Sequence, residues 1–184
     1  MENFPELYTE RLRLGKIRTK DLPLITEYAN NKKISDNTLS FPFPYAEENA
    51  VFWMEMEIQG FQKKENFIFA IYEKKSDQFI GGIGLHIDKN NNKAELGYWI
   101  AEPFWNKGFA SEAGNEILNY GFNILGLNKI FGTHFLYNPA SKRVLRKIGM
   151  YKEAEMKQHY FKNGKYEDVI QYCLLKAEFK TDTM

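Results

Sequence analysis

The sequence predicts a mixed α/β fold rather than a doubly wound parallel sheet, on three observations. Strand-like alternation and helix-like spacing take turns through all 184 residues, with no internal repeat or low-complexity linker. The middle of the chain reads as three strands joined by short polar turns, a largely antiparallel meander. The most regular helix pattern follows directly on the third of those strands and opens a β-α-β-α unit.

Residues 11–17 alternate charge with Leu12 and Leu14 and close on Ile17, as a half-buried strand does. Thr19 offers an N-cap to a helix over 21–30 that carries Leu22, Ile25 and Ala29 inward. The segment Phe41-Pro42-Phe43-Pro44-Tyr45 excludes helix, because each proline pushes its predecessor out of the α region. Beyond it Val51, Met54, Ile58 and Phe61 recur at helical spacing, predicting a helix over 46–63. Strands over 67–72 and 79–87 flank the polar turn 73–78, and an Asn-rich turn, 89–92, leads into a strand over 93–100. If that turn pairs Asp88 with Lys93, His86 lies directly across from Glu95. From Ala110 to Leu125, small and apolar residues fall on one face of a long amphipathic helix. A strand over 129–136 follows. Asn138-Pro139 then opens a short helix to Ile148, which Gly149 closes. Two final strands, 151–161 and 165–175, meet at the turn Lys162-Asn163-Gly164. The expected order is β-α-α-β-β-β-α-β-α-β-β.

Composition narrows the function. Lysine and arginine (25) nearly cancel aspartate and glutamate (24), so a net basic field for nucleic acid or an anionic membrane is absent. With 43% hydrophobic and 16% aromatic residues the chain has ample material for one core, which argues for a single domain over 1–184 and against disorder. Cys173 is the only cysteine, so no intramolecular disulfide or thiolate cluster forms, in keeping with a reducing cytosol. The first ten residues lack an apolar leader, and no run approaches the roughly 20 apolar residues of a membrane span; a cytoplasmic protein is expected. His86, His134 and His159 lack metal-ligand spacing, and no metal is expected.

The informative stretch runs from Glu95 to Ala113, where a strand passes through a short loop into a helix with a small or glycine first turn. The first four N–H groups of a helix lack internal partners and its dipole makes that end positive. Gly108, Ala110 and Ser111 keep bulk away from those amides and Lys107 adds a cation at the rim, a candidate seat for a phosphate or diphosphate. The same small residues also suit close packing of the helix on the sheet. Gly81-Gly82-Ile83-Gly84 does not complete a dinucleotide fingerprint and reads as a bulge or kink in a strand. Cys173 reads as a small core filler.

The run from Glu95 to Ala113, with Asn138-Pro139-Ala140-Ser141 and Lys147-Ile148-Gly149-Met150, resembles the GNAT superfamily of acetyl-CoA-dependent N-acetyltransferases, most of all its RimJ/RimL-type ribosomal-protein N-terminal acetyltransferases. Thr9-Glu10-Arg11-Leu12-Arg13-Leu14 and Asn163-Gly164-Lys165-Tyr166-Glu167-Asp168 are similar to that group as well. The resemblance implies a splayed central sheet and a diphosphate loop of the form [QR]-x-x-G-x-[GA], matched by Gly108 and Ala110 but with Trp105 at the first position. It implies that the amides of Asn106, Lys107, Gly108, Phe109, Ala110 and Ser111 hold the diphosphate of acetyl-CoA. Backbone groups around Trp99, Ile100 and Ala101 would hold the pantetheine arm, with the amide near Ile100 polarising the thioester carbonyl. Asn138 corresponds to an asparagine turned toward the cofactor and is also a helix N-cap. Lys142 or Arg143 would contact the 3′-phosphate or form a solvated face.

Transfer to an amine needs a base, a stabilised carbonyl oxygen and a proton for the departing thiolate. Glu95 is the expected base, with His86 or a water as alternatives, and a solvated Glu95 paired to Lys93 or His86 as the structural reading. The tyrosine many GNAT enzymes carry seven residues after the asparagine is Leu145 here, so Ser141 is the expected acid, with water as the alternative. The expected acceptor is a protein N-terminal amine, such as that of a ribosomal protein, and Phe41 to Tyr45 are candidates to line its site or to lid the core. A polyamine or aminoglycoside is the alternative, with Glu47, Glu48, Glu55 and Glu57 as an acidic patch or a solvated helix face. A non-catalytic acetyl-CoA-binding module is the third reading, and a second copy of the chain is a candidate partner.

Overall fold

The computed structural model describes residues 3–180. It contains one eight-stranded sheet, in the order β1-β2-β3-β4-β5-β6-β8-β7. These strands are β1 (Leu7–Tyr8), β2 (Leu12–Gly15), β3 (Asn66–Glu73), β4 (Gln78–Asp88), β5 (Lys93–Ile100), β6 (Lys129–Phe135), β7 (Tyr151–Lys162) and β8 (Lys165–Leu175). Every pairing is antiparallel except β5 with β6, whose parallel run is made possible by the helical crossover α4 (Phe109–Asn119). The other helices are α1 (Leu22–Ala29), α2 (Lys32–Asn37), α3 (Glu47–Lys63) and α5 (Pro139–Lys147).

Each face of the sheet carries its own core. On one, α4 and α5 cover Leu14, Phe69, Ile83 and Leu96 with Ile117 and Leu145. On the other, α1 and α3 cover Ala70, Tyr72, Phe79 and Trp99 with Ile25 and Ala50. Burying each large side chain of this kind contributes about 1.5–3 kcal/mol. Gly82 shows how closely α3 is laid down, since a Cβ there would stand 2.4 Å from the Trp53 ring.

The helix, meander and final hairpin expectations match these elements, with four local differences. Thr19 is not an N-cap: it begins a 3-10 turn, Thr19–Asp21, and Asp21 precedes α1 without a side-chain cap. The two-residue β1 and six-residue α2 escape periodicity because neither spans enough positions to display it. The long amphipathic pattern ends as α-helix at Asn119 and continues as a π turn, Tyr120–Ile124, in which the Leu125 N–H reaches the Tyr120 carbonyl at 3.0 Å. Ile80 has no partner on β3, the register stepping from Ile71–Gly81 to Tyr72–Phe79, so the glycine-rich strand does carry a bulge.

Candidate active site

Hydrogen-bond parity along β5 builds the centre of the site. The Asp88–Lys93 pairing holds, and His86 stands directly across from Glu95. The parallel ladder to β6 stops at Glu95–Phe131, although β5 runs on to Ile100 and β6 to Phe135, so the strands fork at Glu95. The Ala101 N–H donates to the Ile80 carbonyl at 2.9 Å, which directs the backbone groups of Trp99 and Ala101 to β4 and those of Tyr98 and Ile100 into the fork. Ala101 and Trp99 therefore lack free amides, because β4 uses them. The Trp105 indole N–H donates to the Ile100 carbonyl at 2.6 Å, leaving the Ile100 N–H as the donor at the mouth of the fork. Trp105 thus braces the end of β5.

Beyond β5 the chain reaches α4 through two left-handed residues, Asn106 (φ 61°) and Gly108 (φ 82°). Gly108 is the N-cap, supplies no side chain, and leaves the first amides of α4 uncapped. Phe109 and Ser111 are buried, Ala110 is half-buried, and Lys107 is exposed with its ammonium 5.0 Å from the Phe104 ring centre.

The opening Thr-Glu-Arg-Leu motif braces this loop from behind. Glu112 accepts from the Thr9 hydroxyl (2.5 Å), the Arg11 amide (2.8 Å) and the Arg11 Nε–H (2.7 Å). Arg11 also donates to the Lys107 carbonyl at 3.0 Å and lies over the Phe109 ring. Burial works to raise the Glu112 pKa, but hydrogen bonds from Thr9 and Arg11 outweigh it and hold the carboxyl below its usual range. Sequence reasoning had no role for Arg11, since the contact spans 96 residues.

The α5 side of the fork holds a half-buried hydroxyl pair. Asn138 Oδ1 caps the helix by accepting from the Ser141 N–H at 3.0 Å. Ser141 Oγ lies 2.8 Å from the Tyr98 hydroxyl, whose hydrogen also points toward the Ser141 carbonyl at 3.4 Å. Either oxygen of that pair can be the donor. Burial keeps the Tyr98 phenol protonated far above its ordinary range. Alternation places Tyr98 beside Leu96 and Ile100; a phenol on that inward face was the missed signal. Leu145 packs against Gly132, filling with hydrocarbon the place of the family tyrosine. Lys142 and Arg143 are exposed.

Glu95, Gly97 and Trp99 face the opposite side, together with His86. Thr133 donates to Glu95 Oε1 across the fork at 3.1 Å. Burial, then the Glu95 charge, pushes the neighbouring Tyr160 phenol up. Partial desolvation lowers the His86 pKa and the Glu95 charge partly offsets it. Glu95, His86 and Thr133 are thus gathered on one face of the fork, with Ser141 and Tyr98 on the other.

Farther out, Phe41 stacks edge-on against Trp99 with ring centres 5.3 Å apart. It borders a cavity of about 650 Å³ between the α2–α3 loop and the β7–β8 hairpin, with Phe43, Phe161, Lys32, Asp36 and Lys162 among its walls. Glu47, Glu48 and Glu55 line a separate cavity on the outer side of α3. Glu57 leaves that acidic patch altogether: it is fully buried, and its Oε1 accepts from the Ile17 N–H at 3.1 Å. His134 is buried, its Nδ1–H donating to the Phe135 carbonyl at 2.8 Å, and Cys173 is buried in the core. No metal-holding group occurs among the described residues, and no helix among them is long and apolar enough to cross a membrane.

Residues 11–151 match the profile of the acetyltransferase (GNAT) domain. The chain is 32% identical to the N-acetyltransferase YoaA of Bacillus subtilis, over 94% of this chain and 98% of that protein. It is 25% identical to spermidine N(1)-acetyltransferase of Vibrio cholerae, over 92% of this chain and 95% of that one. Its fold superposes on RimL, a ribosomal L7/L12 α-N-protein acetyltransferase solved with coenzyme A, with a TM-score of 0.84 at 21% identity, covering 93% of this chain and 98% of RimL. The uncapped α4 amides and the Ile100 N–H at the fork are backbone hydrogen-bond donors. The chain belongs to the GNAT acetyltransferase family and is an acetyl-CoA-dependent N-acetyltransferase.

Proposed function

We propose that this enzyme acetylates the α-amine of a protein N-terminus. The observation that carries the reading is the cavity beside Trp99. Phe41, Phe43 and Phe161 are among its walls, its cations are Lys32 and Lys162, and its carboxylate, Asp36, already pairs with Lys32 at 2.7 Å. A polyamine would bring further positive charges to a place with no carboxylate left to receive them. A peptide brings an apolar side chain and carbonyl acceptors, which those walls and the Lys162 ammonium suit.

Acetyl-CoA supplies an acetyl group activated as a thioester. The amides at the start of α4 hold its diphosphate, and the Ile100 N–H donates to the carbonyl oxygen. The Glu95–His86 pair accepts the proton of the acceptor amine on one face of the fork. On the other, Ser141, whose oxygen lies 2.8 Å from the Tyr98 hydroxyl, delivers its hydrogen to the departing sulfur and regains one from solvent. Positioned proton transfers of this kind contribute about 10²–10⁴-fold each.

The spermidine acetyltransferase relative supports the polyamine reading. A thiol-release screen with peptides, spermidine and kanamycin separates the two: peptides are expected to turn over, and turnover of spermidine without peptides would contradict the proposal.

A further inference from the structure

Asn66 opens β3 and pairs across the ladder with His86, so their side chains lie together on the Glu95 face. Asn66 Oδ1 stands 2.7 Å from His86 Nδ1. An amide oxygen can only accept, so the hydrogen in this contact belongs to Nδ1. A neutral imidazole carries one N–H, which leaves Nε2 with a free lone pair. That lone pair points over Gly97: a Cβ built on Gly97 would lie 3.7 Å from Nε2. Gly97 follows Glu95 on the same face, so the missing side chain keeps the space between Nε2 and the fork open.

Asn66 is itself held in place. A Cβ at Gly60 would come within 2.5 Å of the Asn66 Cβ, so α3 packs directly on this side chain only because residue 60 is glycine. The charges around the ring are few. Glu95 faces it from β5, and Asp88 and Lys93 form a pair of their own at 3.7 Å farther along the ladder. Glu65 precedes Asn66, and the Lys63 carbonyl, at the end of α3, receives the Lys89 ammonium.

We propose that Asn66 is a positioning residue that fixes the Nδ1–H tautomer of His86 and thereby makes Nε2 the atom that takes the proton from the acceptor amine. This rests on the Glu95–His86 pair being the base. The freed nitrogen lone pair forms the bond to the acetyl carbon, and the C–S bond breaks with its electron pair going to sulfur, which Ser141 protonates; Ser141 regains a proton from solvent, and the imidazolium later releases its own to solvent. The imidazolium keeps its Nδ1–H on Asn66, and Glu95 stands across from its charge.

The test is ¹⁵N NMR of the histidine-labelled full chain at pH 8, with His86 assigned by its absence in His86→Gln. Nδ1 is expected to be protonated and Nε2 to be pyridine-like; a protonated Nε2 in the neutral ring overturns the proposal. Kinetics give a second readout. Asn66→Ala is expected to lower kcat/KM about tenfold with the acetyl-CoA KM unchanged. Asn66→Asp puts a carboxylate on the ring and is expected to move the acidic limb of kcat/KM upward by about one pH unit or more. An unmoved limb in Asn66→Asp, with His86→Gln inactive, overturns the tautomer proposal alone. Full activity in His86→Gln overturns the base assignment itself.

Discussion

Two glutamates mark how differently the two sides of the sheet are built. Glu112, on the α4 side, has both oxygens in hydrogen bonds with Thr9 and Arg11, and its carboxyl titrates below the usual range. Glu57, on the α3 side, is buried with Oε2 unpartnered, and burial pushes its pKa up to about 7 against the pull of the Ile17 N–H. On the α4 side, these bonds brace the loop that leads into α4. On the other side an unsatisfied carboxyl lies within, and Phe43 and Phe161 are exposed at the rim of the cavity. A site that must hold one invariant nucleotide is well served by the first construction, and one that must select an acceptor by the second.

Substituting Glu57 should expose this contrast most strongly. Its raised folded pKa means that stability is whole below the unfolded value near 4.5 and declines as pH rises toward about 7, because the folded state binds more protons across that window. Glu57→Gln removes the titration and keeps an acceptor for Ile17. It should stabilise the protein by about 1–3 kcal/mol at pH 8 and by almost nothing at pH 4.5, as read by thermal unfolding. Glu112 has the opposite sign, its contribution being present above the unfolded pKa and lost as pH falls through the folded one.

Arg11→Ala tests the donor scaffold. Losing the brace on the Lys107 carbonyl should raise the KM for acetyl-CoA about tenfold, near 1.4 kcal/mol, and leave the KM for S-acetylpantetheine, which lacks the diphosphate, unchanged. A parallel rise for both donors would mean the brace acts on the whole fold. Phe43→Ala should have the smallest effect, about a threefold rise in acceptor KM with the donor KM unmoved. A donor effect there would dissolve the division between the two sides.

The helix starts that present amides were legible in the sequence, because Gly108, Ala110 and Asn138-Pro139 are local signals. The sequence also carried the register that sets His86 against Glu95, since turn length alone decides it. The remaining features depend on contacts between distant segments. Arg11 meets Lys107 across 96 positions, Tyr98 meets Ser141 across 43, and Asn66 meets His86 across 20. Glu57 looked solvated among Glu47, Glu48 and Glu55, but helical phase turns it inward while they remain exposed.

The central proposal is that the fork between β5 and β6 and the amides at the head of α4 hold coenzyme A. Amide ¹H–¹⁵N spectra recorded while coenzyme A is added test it most directly. The largest shifts should fall on Gly108, Phe109, Ala110 and Ser111, with Ile100 moving as the arm enters the fork. Shifts concentrated on α3 or the β7–β8 hairpin, with those five amides unmoved, would contradict it.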